Sequence, residues 1–277
     1  MERIKKVDQP PPITALPWYR EINRRQWGTL LGVWSVWVLD AFDFIILTFV
    51  LSDIAHDFHQ PLSNVSLLIL AAFGVRWAGG LFFGDLSDRI GRKRPLLLAL
   101  LWFTAGGALT GLAWNFASIL AFRLLLGFGM APIFALGSTI IAETWPERQR
   151  SIGIGILDAG WGVGGVLAAL AYALIYPHFG WRMLFFVGVL PGIVLAIILY
   201  RALPEVEFKR DKGRASGSPA LRLFVDHPRV VLTLALLLMA GQFAAWPLQG
   251  LLPTFLKEER FDVAWISWVS TASSIPA

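Results

Sequence analysis

Apolar residues in this chain come in blocks of about 20, each bounded by a short polar stretch, and a helix of that length crosses a ~30 Å hydrocarbon layer. The blocks read as spans at 27–51, 63–84, 95–114, 117–141, 152–175, 181–200 and 230–256, with an eighth starting at Val263 and running into the end of the chain at Ala277. A transmembrane barrel would alternate apolar and polar residues over about ten positions, and this sequence does not. A soluble domain would carry about a quarter charged residues, whereas here the share is 16%, with 56% hydrophobic. The expected fold class is all-α, a polytopic membrane protein.

Lysine and arginine fall unevenly on the two sides of these spans. The segment before Trp27 holds Arg3, Lys5, Lys6, Arg20, Arg24 and Arg25, and the loop after the second span holds Arg89, Arg92, Lys93 and Arg94. Arg148 and Arg150 follow the fourth span, and the connector 201–229 adds Arg201, Lys209, Arg210, Lys212, Arg214, Arg222 and Arg229. The positive-inside rule puts these residues, and with them the N-terminus, in the cytoplasm. The pI near 9.8 is then a matter of topology and gives no motive for nucleic acid binding. Residues 1–26 read as a basic, Pro-rich cytoplasmic tail rather than a cleaved signal. Residues 27–200 read as a six-helix half, 201–229 as a cytoplasmic linker, and 230–277 as the beginning of a second, truncated half.

Between the second and third spans lies "GDLSDRIGRKRP", Gly84–Pro95. Gly84 is expected to let neighbouring helices approach closely. Asp88 is expected to accept hydrogen bonds at the start of the next helix and to pair with a cation on a neighbouring bundle. Gly91 permits a positive φ in a tight loop, and Arg92, Lys93 and Arg94 anchor that loop to the anionic leaflet. The order G-D-x-x-D-R-x-G-R-K resembles the loop signature of the major facilitator superfamily, whose members have two six-helix halves. The resemblance implies a cytoplasmic gating loop carried by Gly84, Asp88, Arg89, Gly91 and Arg92. "RLLLGFGM", with Arg123, Gly127 and Gly129, looks like the fourth-helix pattern of that superfamily, an arginine followed by close-packing glycines.

Four further stretches, "PWYREINRRQW", "LDAFDF", "RWAGGLFFGDLSDRIGR" and "WPLQGLLPTFLK", are similar to bacterial sialic acid permeases of the sialate–proton symporter group, which also contains monocarboxylate permeases. What this implies is a secondary transporter of a small organic anion, coupled to protons, in a bacterial cytoplasmic (inner) membrane, and not an enzyme. Two positions depart from the group. Ile133 stands where those permeases commonly carry a glutamate, and the connector 201–229 is too short and polar for the extra spans some of them insert. In the fifth span, Gly160-Trp161-Gly162-Val163-Gly164-Gly165 replaces the Gly-Pro-x-x-Gly-Gly of the superfamily's antiporters, which favours symport.

Asp40 and Asp43 interrupt the first span, in "WVLDAFDFIILTFVL". A carboxylate at mid-membrane costs about 3 kcal/mol on insertion scales. It escapes that cost by carrying a proton, by facing a wet cavity or by pairing with a cation, and all three describe a proton-coupling site. Three residues apart on a helix, the two share one face. Their competing role is packing against a backbone group or an arginine. Arg76 and Arg123, the basic residues inside spans, are candidates to bind a substrate carboxylate or to pair with the aspartates. Asp158, a third acid expected to be buried, and Gln249, in a seventh span kinked by Pro247 and Pro253, complete the candidate substrate-binding set. No cofactor or metal is implied: His56, His59, His178 and His227 are expected in loops, and there is no phosphate-binding loop. The alternatives are a monocarboxylate or aromatic-acid symporter and, in a different class, a transport-incompetent fragment or receptor-like relative.

Overall fold

Asn23 starts the first long helix. Its side chain accepts from the Gln26 amide at 2.9 Å, while the Gln26 side chain accepts from the Asn23 amide at 2.8 Å, a closed capping box. The helix that follows, α1 (Arg24–Asp57), has 34 residues, about 51 Å of rise, more than a bilayer core needs. Every residue from Asp40 to Leu51 is buried, and α1 packs mainly against the helices that follow the fourth predicted span. The computed structural model describes residues 17–203, 226–233, 236–237, 252–262, 265–266 and 269. The linker between 204 and 225, Gln249 and most of the second-half spans lie outside the described residues.

The chain then forms α2 (Leu62–Val65), α3 (Leu67–Ile90), α4 (Lys93–Gly111), α5 (Phe116–Met130), α6 (Pro132–Thr144) and α7 (Arg150–Ala202). Among the described residues, four helical runs are long and apolar enough to cross a membrane: Arg24–Asp57, Leu62–Ile90, Phe116–Thr144 and Glu147–Ala202. The predicted fourth span runs through α5 and α6, whose hydrogen-bond ladder is interrupted where Pro132 has no amide hydrogen to continue it. The predicted fifth and sixth spans are the two parts of α7, separated at Gly180, whose φ of 72° and ψ of −178° are not helical. Contacts along α1 show the chain turning back there. Gly164 packs against Val38 and Ala41, Tyr176 meets Asp53, Trp181 meets Asp57, and Leu199 returns to Gly32.

Glycines set the closest helix contacts. A Cβ on Gly127 would collide with the Ala72 carbonyl, and one on Gly79 with the Phe128 carbonyl, so α3 and α5 touch backbone to backbone. A Cβ on Gly106 would lie 2.8 Å from the Leu126 Cα, bringing α4 against α5 in the same way.

Three expectations change. Gly84 to Ile90 are helical rather than loop, because Asp85 and Arg89 pair at 2.7 Å one turn apart and no breaker intervenes before Gly91. Gly91, at φ 87°, ends the helix as foreseen, but a Cβ on Gly84 would meet nothing within 4 Å among the described residues. Two histidines are also not in loops: His56 occupies the last turn of α1 and His178 lies within α7.

Candidate functional site

Asp40 and Asp43 leave α1 toward two different neighbours. Arg76 of α3 donates from Nη2 to Asp40 Oδ2 at 2.9 Å, and Arg123 of α5 donates from Nη1 to Asp43 Oδ2 at 2.7 Å. The three-residue offset explains this: it turns the second carboxylate about 60° around the helix, from the α3 side to the α5 side. Of the three escapes from an unpaired charge in hydrocarbon, pairing with a cation is the one both acids adopt.

The two pairs differ in their surroundings. Asp43 and Arg123 are enclosed together, with side chains 8% and 1% exposed, and the guanidinium lies 4.7 Å from the centre of the Phe185 ring. Arg123 Nε and Nη2 are buried without hydrogen-bond partners among the described residues. Beside Asp43 is a narrow crevice, walled by Phe42, Phe103, Thr104, Gly107 and Phe185, with room for about one water molecule. Asp40 is fully enclosed, yet its partner Arg76 remains 20% exposed and lies 5.1 Å from the Phe73 ring centre. Asp40 Oδ1 has no hydrogen-bond partner among the described residues. Around this pair the rings run in contact from α3 to α6: Phe73 to Phe44 at 5.4 Å, Phe44 to Trp161 at 5.7 Å, Trp161 to Trp37 at 5.1 Å and Trp37 to Phe134 at 4.8 Å.

Asp158 is exposed, not buried, because its position on α7 faces away from α1. No structural statement attaches to Gln249, which lies outside the described residues. At the α3–α4 turn, Arg92 Nη1 donates to Asp88 Oδ1 at 2.5 Å and to Ser87 Oγ at 2.8 Å, and Arg92 Nε donates to Glu143 Oε1 at 3.2 Å. Burial opposes the Arg92 charge, but the hydrogen bond to Asp88 and the Glu143 carboxylate outweigh it and hold its pKa above the ordinary arginine value. Asp88 thus meets a cation of its own turn, and Arg92 ties that turn to the end of α6. Arg89 pairs locally with Asp85, and with no other acid among the described residues.

Sequence reasoning missed Glu143, and it also missed a cluster at the opposite end of the bundle. There Tyr176 donates to Asp53 Oδ1 at 2.6 Å, and Lys257 donates to Asp53 Oδ2 and, at 2.9 Å, to Tyr176 Oη. Charged residues at the ends of spans were visible in the sequence, but partners 204 positions apart were not. Among the described residues there is no group of three or more His, Asp or Glu that could hold a metal.

The packed helices and the buried acid–arginine pairs define a multi-pass membrane protein with a helical transporter fold. The sequence model of the Major Facilitator Superfamily matches residues 33–277, and the chain belongs to that superfamily, a family of transporters rather than enzymes. It is 30% identical to the sialic acid transporter NanX of Escherichia coli strain K12, over 94% of this chain and 64% of that protein. It is 31% identical to a probable 4-methylmuconolactone transporter of Cupriavidus pinatubonensis, over 88% of this chain and 58% of that one. The chain thus spans less than two thirds of these relatives' length. Its fold matches the crystal structure of a bacterial homolog to the human lysosomal transporter Spinster, at a TM-score of 0.73 and 22% identity, covering 91% of this chain and 60% of that one.

Proposed function

We propose that the protein, at the full length of its relatives, is a proton-coupled symporter of a small organic anion, with Asp40 and Arg76 as the coupling pair. The observation that carries this reading is the asymmetry of the pair: an enclosed carboxylate whose cation is partly open. A substrate carboxylate reaching Arg76 competes with Asp40 for the guanidinium. Once released, Asp40 would be an unpaired charge at membrane depth, a state that a proton neutralises. Anion and proton together leave the loaded site with the same net charge as the empty one. Each therefore favours the binding of the other, and the loaded and empty carriers are the states fit to reorient.

Asp43 and Arg123 play the structural part, holding α1 to α5. Arg92, Asp88, Glu143 and the positive φ of Gly91 form the cytoplasmic turn of the gating loop, in a bacterial inner membrane with the N-terminus inside. The substrate reading that follows from the sequence similarity is a sialic acid-type compound. A second reading has a specific observation in its favour: the ring row from Phe73 to Phe134 offers faces rather than hydroxyl partners, which suits an unsaturated or aromatic acid.

The test is uptake by the full-length protein in proteoliposomes under an imposed pH gradient, with N-acetylneuraminate, cis,cis-muconate and nicotinate in competition. Asp40→Asn is expected to abolish gradient-driven accumulation while keeping substrate counterflow. Gradient-driven accumulation that survives in Asp40→Asn removes the assignment.

A further inference from the structure

The Asp53–Tyr176–Lys257 cluster lies far along α1 from the coupling pair, and there, among the described residues, the segment after the linker meets the first six helices. Three features set it at a junction between separate elements rather than in a packed core. First, its members come from three elements: Asp53 from the last turns of α1, Tyr176 from the end of the first run of α7, and Lys257 from the helical residues 252–258. Second, the Asp53 and Lys257 side chains are 19% and 22% exposed, sheltered without being sealed. Third, the contact is anchored twice. The Thr254 hydroxyl donates to the Thr48 carbonyl at 2.9 Å, and the Lys257 ammonium lies 4.6 Å from the Tyr176 ring centre and 5.8 Å from that of Tyr172.

A cation held by one carboxylate, one phenol and two ring faces is well satisfied, yet it is released as a unit if the 252–258 segment moves away. Thr48, only 1% exposed, accepts at its carbonyl from Thr254 of that same segment.

We propose that Lys257, Asp53 and Tyr176 form a latch that closes the outer end of the transport path, so that breaking it favours the state open to the outside. "Outer" rests on the orientation proposed above. The latch requires the two halves to separate at this end, and the alternating populations are then set in part by whether the cluster is made. Tyr176 positions the Asp53 carboxylate for Lys257 and is expected to be a positioning residue rather than a charge partner.

Residues 1–277 contain no cysteine, so Thr48→Cys adds a single thiol to them under the covered segment. The experiment measures the rate at which an impermeant maleimide labels that thiol from outside intact cells expressing the full-length protein. In the Thr48→Cys background, Lys257→Met and Asp53→Asn are each expected to raise the rate about ten- to a hundredfold, the size of one charge-assisted hydrogen bond lost. The reversed pair, Asp53→Lys with Lys257→Asp, is expected to bring the rate back toward the Thr48→Cys reference. Unchanged labelling in both single variants overturns the latch. So does acceleration that the reversed pair does not restore, which means general loosening, and so does acceleration seen only from the cytoplasmic face. Labelling needs no substrate and no proton gradient. A rate that responds as stated in a protein without gradient-driven uptake therefore sinks the symport reading alone, whereas gradient-driven uptake that Asp40→Asn abolishes, found together with unchanged labelling, sinks the latch alone.

Discussion

Removing Asp43 should destabilise the protein far more than removing Asp40, although both are acids in the same helix. Asp43→Ala leaves the Arg123 guanidinium 1% exposed, already lacking partners at Nε and Nη2 among the described residues and now lacking one at Nη1 as well. Breaking a buried ion pair by deleting one member costs about 3–5 kcal/mol, because the remaining charge is uncompensated. At about 2–4 °C per kcal/mol for a protein of this size, the midpoint should fall by about 10 °C. Asp40→Ala leaves Arg76, which is 20% exposed and has a route toward solvent, so its loss should be about half of that or less. Replacing both members of the inner pair, as Asp43→Leu with Arg123→Met, removes charge and partner together and should recover most of the midpoint. The assay is thermal unfolding of the detergent-solubilised full-length protein, followed by tryptophan fluorescence. Equal shifts for the two aspartate variants, or a double variant less stable than Asp43→Ala, would refute the division into a structural and an open pair.

Gly127→Ala should cost about 1–3 kcal/mol, since its Cβ would meet the Ala72 backbone rather than a movable side chain; expression and midpoint report it. Gly180→Ala should cost about 1–3 kcal/mol from the backbone alone, since a φ of 72° with ψ of −178° is a conformation essentially only glycine adopts, while its Cβ meets nothing within 4 Å among the described residues. A midpoint unchanged in either variant would contradict the account given for it. Glu143→Gln should leave folding nearly unchanged and increase proteolytic cleavage at the α3–α4 turn, because Arg92 keeps Asp88 but loses its charged tie to α6.

Much of the fold was legible because hydrocarbon imposes a strict rule on sequence. Backbone groups must be satisfied within the segment, so spans show as long apolar runs, and Gly180 marks where one such run ends and the next begins. The aspartates and arginines inside those runs were equally visible, since nothing hides a charge in an apolar background. Their pairing was not. Arg76 and Arg123 were both eligible for either acid, and only the packing of α3 and α5 around α1 assigns one to each. Asp158 misled because an acid within an apolar run looks buried whichever way its helix is turned. The helical extension through Asp85 and Arg89 was obscured by charge, which marks the end of a span in lipid but not the end of a helix.

The seam between α3 and α5 also constrains how such a protein can diverge. Gly79 and Gly127 lie against opposing carbonyls and admit no side chain, so that part of the scaffold is closed to variation. Trp37, Phe134 and Trp161 are only partly covered, at the margin of the core, and Trp37 lies against both of the others. Selection for a new nutrient could therefore exchange those rings one at a time while the frame that carries the charges stays as it is.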